Sequence, residues 1–287
     1  MQTNRIILGT VQFGLDYGIN NKGGKTGAEE TFRILNYALD NGITTLDSAF
    51  AYGTALKIIG QFHERFGRFF QVNSKFKVEQ GDSVEKQLVR TFSNLGLKGI
   101  DTFFYHKFDD LQNTRIQHEL KSFKSRGLIK KIGISIYTNR EFEEAMNYEW
   151  IDVIQIPFNV LDNNNRRGDL IRLAKAKKKE IQVRSVFLQG LLFMRPNALP
   201  QRLKPLGRYL DVLNSISGEE NLSIEEIALQ YVMENPLIDN VLIGVDTLDQ
   251  LESNVKKLKS PRSKKLSGSV DGINVAEVDL LNPQNWS

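Results

Sequence analysis

Short apolar runs alternate with long amphipathic segments along most of this 287-residue chain. The runs have the length of strands and lie near residues 6–9, 43–46, 69–74, 100–105, 131–135, 152–156, 181–186 and 239–243. Amphipathic helices are predicted between them, for example over residues 26–41, 83–95 and 110–126, and a glycine follows each of these segments. Eight repeats of strand and helix favour a closed (β/α)8 TIM barrel of the α/β class over an open doubly wound sheet.

This alternation of strands and helices predicts a single barrel domain over residues 1–260. No G-x-G-x-x-G motif follows the first apolar run, so a dinucleotide-binding domain of the open-sheet type has little support. Residues 187–207 contain three of the seven prolines and are expected to form a long loop. Residues 261–287 are irregular, and we expect them to form a C-terminal tail that packs near the active rim.

The composition is that of an ordinary globular protein, with a hydrophobic fraction of 40%, a charged fraction of 25% and a net charge of +4. No stretch approaches the roughly twenty apolar residues of a membrane span, so no membrane partner is expected. The basic runs at 175–179 and 256–265 contain no aromatic residue, which argues against a nucleic-acid partner. The N-terminal residues lack the features of a signal peptide, and a cytoplasmic location is expected.

Thiol and metal chemistry are both disfavoured by the residue content. The chain has no cysteine, which rules out disulfides and thiolate metal sites. Its three histidines, His63, His106 and His118, show no metal-ligand spacing, so no metal site is expected. His63 and His118 lie in charged helical stretches, and both are predicted to be solvent-exposed.

Four polar residues stand where predicted strands pass into loops, namely Asp47, Tyr52, Lys75 and His106. Because the carboxyl ends of parallel strands meet at one rim of a barrel, we expect these side chains to lie together. A lysine beside a tyrosine favours the phenolate, a carboxylate keeps the lysine charged, and an imidazole can orient a polar substrate atom. The set therefore predicts proton-transfer chemistry, with Tyr52 as the acid and its pKa lowered by Lys75.

Each of these residues taken alone has a second interpretation. Asp47 could cap the following helix, and Tyr52 could be a half-buried aromatic residue of the rim. Lys75 could be a solvated lysine or the Schiff-base nucleophile of a barrel lyase. His106 could be hydrogen-bonded only to its local surroundings. Their common register at strand ends favours catalysis.

Separated motifs agree in order and spacing with the aldo-keto reductase superfamily, which the chain resembles from about Arg5 to Leu258. The motifs are residues 8–14, residues 42–49 with Tyr52 and Gly53, Lys75, and residues 101–106. The resemblance implies an oxidoreductase that uses NADPH or NADH to reduce an aldehyde or ketone, with Asp47, Tyr52, Lys75 and His106 as its catalytic residues. A small-molecule carbonyl substrate and a monomer or small homo-oligomer are expected.

Other segments resemble the cofactor-binding parts of that family. By this resemblance, the cofactor-binding residues are Gly9, Thr10, Val11, Asp47, Ser135, Gln155, Arg184, Ser185, Phe187, Leu188, Gly190, Ile243, Gly244, Val245, Thr247, Gln250 and Asn254. Ser135 and Gln155 fall where family members hold the nicotinamide carboxamide. Residues 184–192 resemble the loop that crosses the pyrophosphate, and residues 243–254 resemble the segment that grips the adenosine end.

Two departures from the family pattern bear on the ligands. Asp246 stands where many members carry a basic residue that pairs with the 2′-phosphate of NADP. A carboxylate there predicts tolerance of or preference for NADH, unless Lys256 or Lys257 compensates. Arg184 stands where many members place an aromatic residue against the nicotinamide. A guanidinium can also stack, and it can bind a phosphate or carboxylate of a substrate.

The substrate and two rival functions stay open at this point. Residues 9–19 are similar to bacterial family members associated with sugar and surface-polysaccharide metabolism, which suggests a keto-sugar or sugar-nucleotide substrate. One rival function is a redox-sensing subunit that binds the dinucleotide with little turnover. The other is a lyase that forms a Schiff base on Lys75.

Overall fold

Eight parallel strands close into a barrel in this computed structural model, which describes residues 2–78, 83–260, 263 and 265–286. Each strand pairs with the next one along the chain, and the last strand pairs back with the first. The strands are β1 Ile6–Gly9, β2 Thr45–Asp47, β3 Gln71–Phe76, β4 Ile100–Tyr105, β5 Ile129–Ser135, β6 Val153–Pro157, β7 Glu180–Arg184 and β8 Asn240–Gly244. The predicted (β/α)8 barrel is confirmed.

Helices surround the barrel and connect its strands. Their bounds are α1 Val11–Gly14, α2 Ala28–Asp40, α3 Ala55–Phe66, α4 Val84–Leu95, α5 Thr114–Ser125, α6 Asn139–Ala145, α7 Asn164–Ala176, α8 Gly207–Glu220, α9 Ile224–Glu234, α10 Leu248–Lys257 and α11 Leu266–Asp271. The core is the layer between the strands and these helices. None of the described helices combines the length and the apolar character needed to traverse a lipid bilayer.

Local hydrogen bonds explain where the elements depart from the predicted boundaries. Strand β2 begins two residues late because the Ile43 N–H still donates to Ala38 O and completes the end of α2. Helix α5 begins at Thr114 rather than at Asp110 because the Asn113 side chain accepts from two backbone N–H groups of the first turn. Helix α4 ends as predicted at Gly96, whose φ of 65° is left-handed.

His63 is buried, so the prediction that it is solvent-exposed is wrong. Its side chain lies between α3 and α4, which approach closely at Gly60. A Cβ on that residue would lie only 1.8 Å from Asn94 O, so only glycine allows this approach. The ring is 2% exposed; Nδ1 donates to Leu95 O at 2.8 Å, and Nε2 accepts from the Phe70 N–H at 3.3 Å. Both ring nitrogens are therefore satisfied by a neutral imidazole. His118 is exposed, as predicted.

The two irregular segments contain short ordered elements. The loop after β7 is built from 3-10 turns at Leu188–Phe193, Pro196–Ala198 and Gln201–Leu206. In the tail, α11 packs against α8 and α9. The Asn163 side chain, beside the start of α7, donates to Val270 O and Ile273 O, both at 2.9 Å. The described part of the tail is thus anchored to the loop that leaves β6.

Candidate active site

The four predicted catalytic residues lie at the C-terminal rim of neighbouring strands. Asp47 ends β2, Lys75 is the penultimate residue of β3, and His106 directly follows β4. Tyr52 lies in the turn between β2 and α3, and its N–H donates to Ala49 O at 3.0 Å. All four side chains line one cavity of about 480 Å³. The structure therefore brings together the residues that the strand-end pattern selected.

Asp47 and Lys75 form a buried ion pair at the base of this cavity. The Lys75 Nζ donates to Asp47 Oδ1, and the two side chains are only 2% and 3% exposed. Asp47 Oδ2 accepts a second hydrogen bond from Gln155 Nε2 at 2.9 Å. Ser135 Oγ in turn lies 3.4 Å from Gln155 Oε1. Burial lowers the pKa of Lys75, and the neighbouring carboxylate opposes that effect.

Tyr52 lies over the ammonium group but remains a neutral phenol. Lys75 Nζ is 5.4 Å from the centroid of the Tyr52 ring. Burial raises the pKa of Tyr52, and the charge of Asp47 raises it further. The predicted lowering of this pKa by Lys75 is therefore wrong, because Asp47 compensates the lysine charge and desolvation then dominates. The phenol is held protonated and can donate a hydrogen bond.

His106 completes the set as a neutral imidazole. Its ring stands edge-on to the Tyr52 ring with centroids 6.2 Å apart. Burial lowers the pKa of His106 to about 4, and the positive charges of Lys75 and Arg184 contribute to the shift. A neutral imidazole and a protonated phenol on one wall give two hydrogen-bond donors for a single ligand oxygen.

Most of the predicted cofactor-binding residues line the same cavity. They are Gly9, Thr10, Val11, Asp47, Ser135, Gln155, Arg184, Ser185, Phe187, Leu188, Gly190, Ile243, Gly244, Gln250 and Asn254. Val245 and Thr247 are not among its lining residues, and their role toward the cofactor stays a prediction from the resemblance. Val245 is 1% exposed and packs in the core, and the Thr247 side chain caps α10 by accepting from the Gln250 N–H.

The cavity has the form and polarity that an extended polar ligand such as a nicotinamide dinucleotide requires. Its roof is the loop after β7, where Leu188, Gln189 and Gly190 have φ of 47°, 55° and 86°. This loop closes against the loop after β1, since a Cβ on Gly190 would meet Asn20 Cβ at 2.7 Å. Gln12 Oε1 is buried at the wall without a hydrogen-bond partner in the described residues. The residues present fit the dinucleotide.

The far end of the cavity carries the carboxylate that departs from the family pattern. Burial raises the pKa of Asp246, and its Oδ1 has no hydrogen-bond partner among the described residues. Lys257 lines the cavity and lies 3.6 Å from Glu225, whereas Lys256 is exposed and does not line it. Of the two candidate lysines, Lys257 is therefore the one placed to compensate for the negative charge of Asp246.

Sequence reasoning missed several residues of the cavity wall. They are Gln12, Tyr17, Gly18, Asn20, Asn21, Tyr137, Val186, Gln189, Phe193, Glu225, Leu242, Asp249 and Ser253. Gln12 was inside a quoted motif, and Tyr137 lies two residues beyond Ser135 on the same rim. Proximity to a predicted site residue was thus the only available signal for these two. The loop after β1 reaches the cavity only by long-range packing.

Comparisons with known proteins agree on one family. The Aldo/keto reductase family model matches residues 5–275. An aldo-keto reductase of Strobilurus tenacellus is 25% identical over 254 residues, covering 79% of this chain and 76% of that protein. L-glyceraldehyde 3-phosphate reductase of Escherichia coli is 24% identical over 295 residues, covering 86% and 84%. The holo form of an aldo-keto reductase from Bacillus halodurans has the same fold, with a TM-score of 0.74, 20% identity and coverage of 95% and 92%.

Proposed function

This chain belongs to the aldo/keto reductase family, and on that premise we propose that it reduces an aldehyde or ketone with a proton from Tyr52. Membership makes it an NAD(P)H-dependent oxidoreductase that acts on small-molecule carbonyl compounds. The observation that carries the assignment of Tyr52 is its position, in one cavity, beside a buried ion pair and a neutral imidazole.

The chemistry requires a donor aimed at the substrate oxygen. The nicotinamide, when bound, supplies the hydride that adds to the carbonyl carbon while the π electron pair moves to oxygen. Tyr52 and His106 donate hydrogen bonds to that oxygen and stabilise the charge that develops on it. The oxygen then takes the Tyr52 proton, since an alkoxide is a stronger base than a phenolate. The products are an alcohol and the oxidised dinucleotide.

The ion pair below Tyr52 stabilises the phenolate that Tyr52 becomes after it has given up its proton. The phenolate then carries a negative charge in a buried setting, and Lys75 Nζ lies 5.4 Å from the centroid of its ring. Asp47 keeps the lysine in place and charged before the proton moves. A Schiff base on Lys75 needs the free amine, and the Asp47 carboxylate acts against it by favouring the charged ammonium.

The test is loss of NADH and NADPH absorbance against a panel of aldehydes, ketones, quinones and keto-sugars. We expect Tyr52→Phe to keep cofactor affinity, measured by fluorescence titration, and to lose about 10²- to 10⁴-fold in kcat. Tyr148→Phe is the matched control, since Tyr148 packs on Trp150 away from the cavity. Full turnover by Tyr52→Phe would contradict the assignment. Tight cofactor binding with no reduction across the panel would instead favour the redox-sensing subunit.

The finer features of the reaction are also proposals. A keto-sugar or phosphorylated sugar substrate is supported by the E. coli relative named L-glyceraldehyde 3-phosphate reductase and by the polar wall of Tyr17, Tyr137 and Gln189. Use of NADH is supported by the Asp246 carboxylate, which would repel a 2′-phosphate and can accept a hydrogen bond from a free ribose hydroxyl.

A further inference from the structure

Arg184 brings an uncompensated positive charge to the catalytic end of the cavity. It ends β7, is partly buried and lines the cavity wall. Within the described part of the chain, no carboxylate oxygen lies within 4.0 Å of its guanidinium nitrogens. Burying a cation without a counter-ion is unfavourable, and a guanidinium forms its strongest hydrogen bonds with carboxylate and phosphate groups.

Neutral groups hold the guanidinium in a defined position. Arg184 Cζ lies 4.0 Å from the centroid of the Tyr137 ring, which is a close cation–π contact. Its Nη2 donates to Ile136 O at 3.0 Å, and its Nη1 donates to Ser185 Oγ at 3.3 Å. The other N–H groups of this five-donor fork have no hydrogen-bond partner among the described residues. Donors thus remain for a ligand.

The backbone of Tyr137, whose ring lies under Arg184, is fixed on both sides of the residue. The Tyr137 N–H donates to Glu141 Oε2 at 2.8 Å, and Tyr137 O accepts from Arg167 Nη2 at 2.6 Å. Arg167 is 1% exposed and forms a buried ion pair with Asp162 at 2.7 Å. The Arg184 side chain is thus held by its hydrogen bonds and by a ring on a fixed backbone, so it loses little entropy when a ligand binds.

The charges around the cavity are divided between its two ends. At the catalytic end, Asp47 is paired with Lys75, and Arg184 adds one further positive charge. This charge acts on the catalytic groups themselves, because it lowers the pKa of His106 and opposes the rise in the pKa of Tyr52. The remaining lining carboxylates, Glu225, Asp246 and Asp249, belong to the side formed by α9, α10 and the loop after β8.

We infer that Arg184 binds an anionic group of the carbonyl substrate, a carboxylate or a phosphate, while the carbonyl oxygen faces Tyr52 and His106. The inference rests on the proposed reductase function and names a substrate class for that same site. The sequence left two roles open for Arg184, stacking on the nicotinamide and binding a substrate anion, and Arg184 is here given the second. A planar guanidinium suits this role because it can bind either oxyanion through two parallel hydrogen bonds.

The test compares matched pairs of substrates that differ by one anionic group. One pair is succinic semialdehyde and its methyl ester, and the other is glycolaldehyde phosphate and glycolaldehyde. We expect the anionic member of at least one pair to have a kcat/KM about 10- to 100-fold higher, mainly through KM, as hydrogen bonds to a charged group are worth that factor. The favoured pair identifies carboxylate or phosphate as the ligand.

Variants separate the local effect of Arg184 from a general effect of charge. Arg184→Gln should bring the ratio of anionic to neutral kcat/KM close to one, and Arg184→Lys should recover part of the preference. Arg172→Gln is the control, because Arg172 is an exposed residue of α7 whose loss removes the same charge elsewhere. It should leave the ratio as in the wild type.

Two outcomes would overturn the inference. One is a wild-type ratio of one in both pairs, and the other is a ratio that Arg184→Gln leaves unchanged. The failure of the proposed function is distinguishable, since then neither member of a pair is reduced. In that case the anion site is tested by calorimetric titration of succinate and of inorganic phosphate into the protein saturated with oxidised cofactor. Binding of one of them that weakens at least tenfold in Arg184→Gln supports the anion site, and binding of neither rejects it.

Discussion

Removal of the Lys75 charge tests how the ion pair with Asp47 holds the site together. In Lys75→Met the side chain keeps its approximate length, but Asp47 is left as a buried carboxylate that is 3% exposed. Among the described residues, the partner that its carboxylate keeps is Gln155 Nε2 at 2.9 Å. Loss of one member of a buried ion pair costs about 3–5 kcal/mol, so we expect a fall of that size in the free energy of unfolding.

A second substitution shows whether the unpaired Asp47 carboxylate causes this loss of stability. The double variant Asp47→Leu with Lys75→Met removes both charges, and replacement of a buried pair by apolar groups is often close to neutral. Gln155 Nε2 then loses its acceptor but lies 3.5 Å from Gln182 Oε1, which can replace it. We expect the double variant to regain most of the stability and none of the carbonyl reductase turnover.

The assay is urea denaturation at pH 7, followed by circular dichroism, with NADH and NADPH oxidation measured on the same samples. Lys175→Met is the matched control, because its ion pair with Asp239 is 28% and 37% exposed and should be worth about 0–1 kcal/mol. The reasoning is refuted if Lys75→Met loses no more stability than this control. It is also refuted if the double variant is as unstable as Lys75→Met.

Two further predictions concern pH and the cofactor. Burial lowers the pKa of His63 from its usual value of 6.5, so the neutral ring contributes stability above that pH, and the contribution is lost as pH falls below it. The free energy of unfolding, measured between pH 5 and 7, should show this dependence in the wild type and in the exposed control His118→Gln. In His63→Gln the dependence should be weaker. Asp246→Arg should shift the ratio of the NADPH and NADH Michaelis constants by about tenfold or more toward NADPH. A hundredfold advantage for NADPH in the wild type would reject the role proposed for Asp246.

The strand and helix order was readable because it depends on local periodicity. The boundary errors have local causes that periodicity does not report. Ile43 is apolar like a strand residue, yet its N–H completes a helix end. His63 has charged neighbours in the sequence, yet the close approach of two helices at Gly60 buries it. Burial of a residue on a helix depends on what packs against the helix, and a single sequence does not contain that information.

The candidate site divides in the same way. Parallel strands end at one rim, so Asp47, Lys75 and His106 could be assigned to a common cavity from their positions at strand ends. The pKa direction of Tyr52 was predicted wrongly, because it depends on the balance between desolvation and a compensated lysine charge. Thr247 belonged to a motif that resembles a cofactor contact, but the cap of α10 uses its side chain.

The amino-acid sequence by itself determined the barrel, the order of its elements and the identity of the four polar groups at the rim. These properties follow from alternating apolar patterns and from positions relative to strand ends. Only the tertiary structure decided the electrostatic state of those groups and which of the charges around them are paired. It alone placed Arg184 on Tyr137 and left it without a carboxylate partner among the described residues. The physical reason is that desolvation and charge pairing depend on distances between segments far apart in the chain.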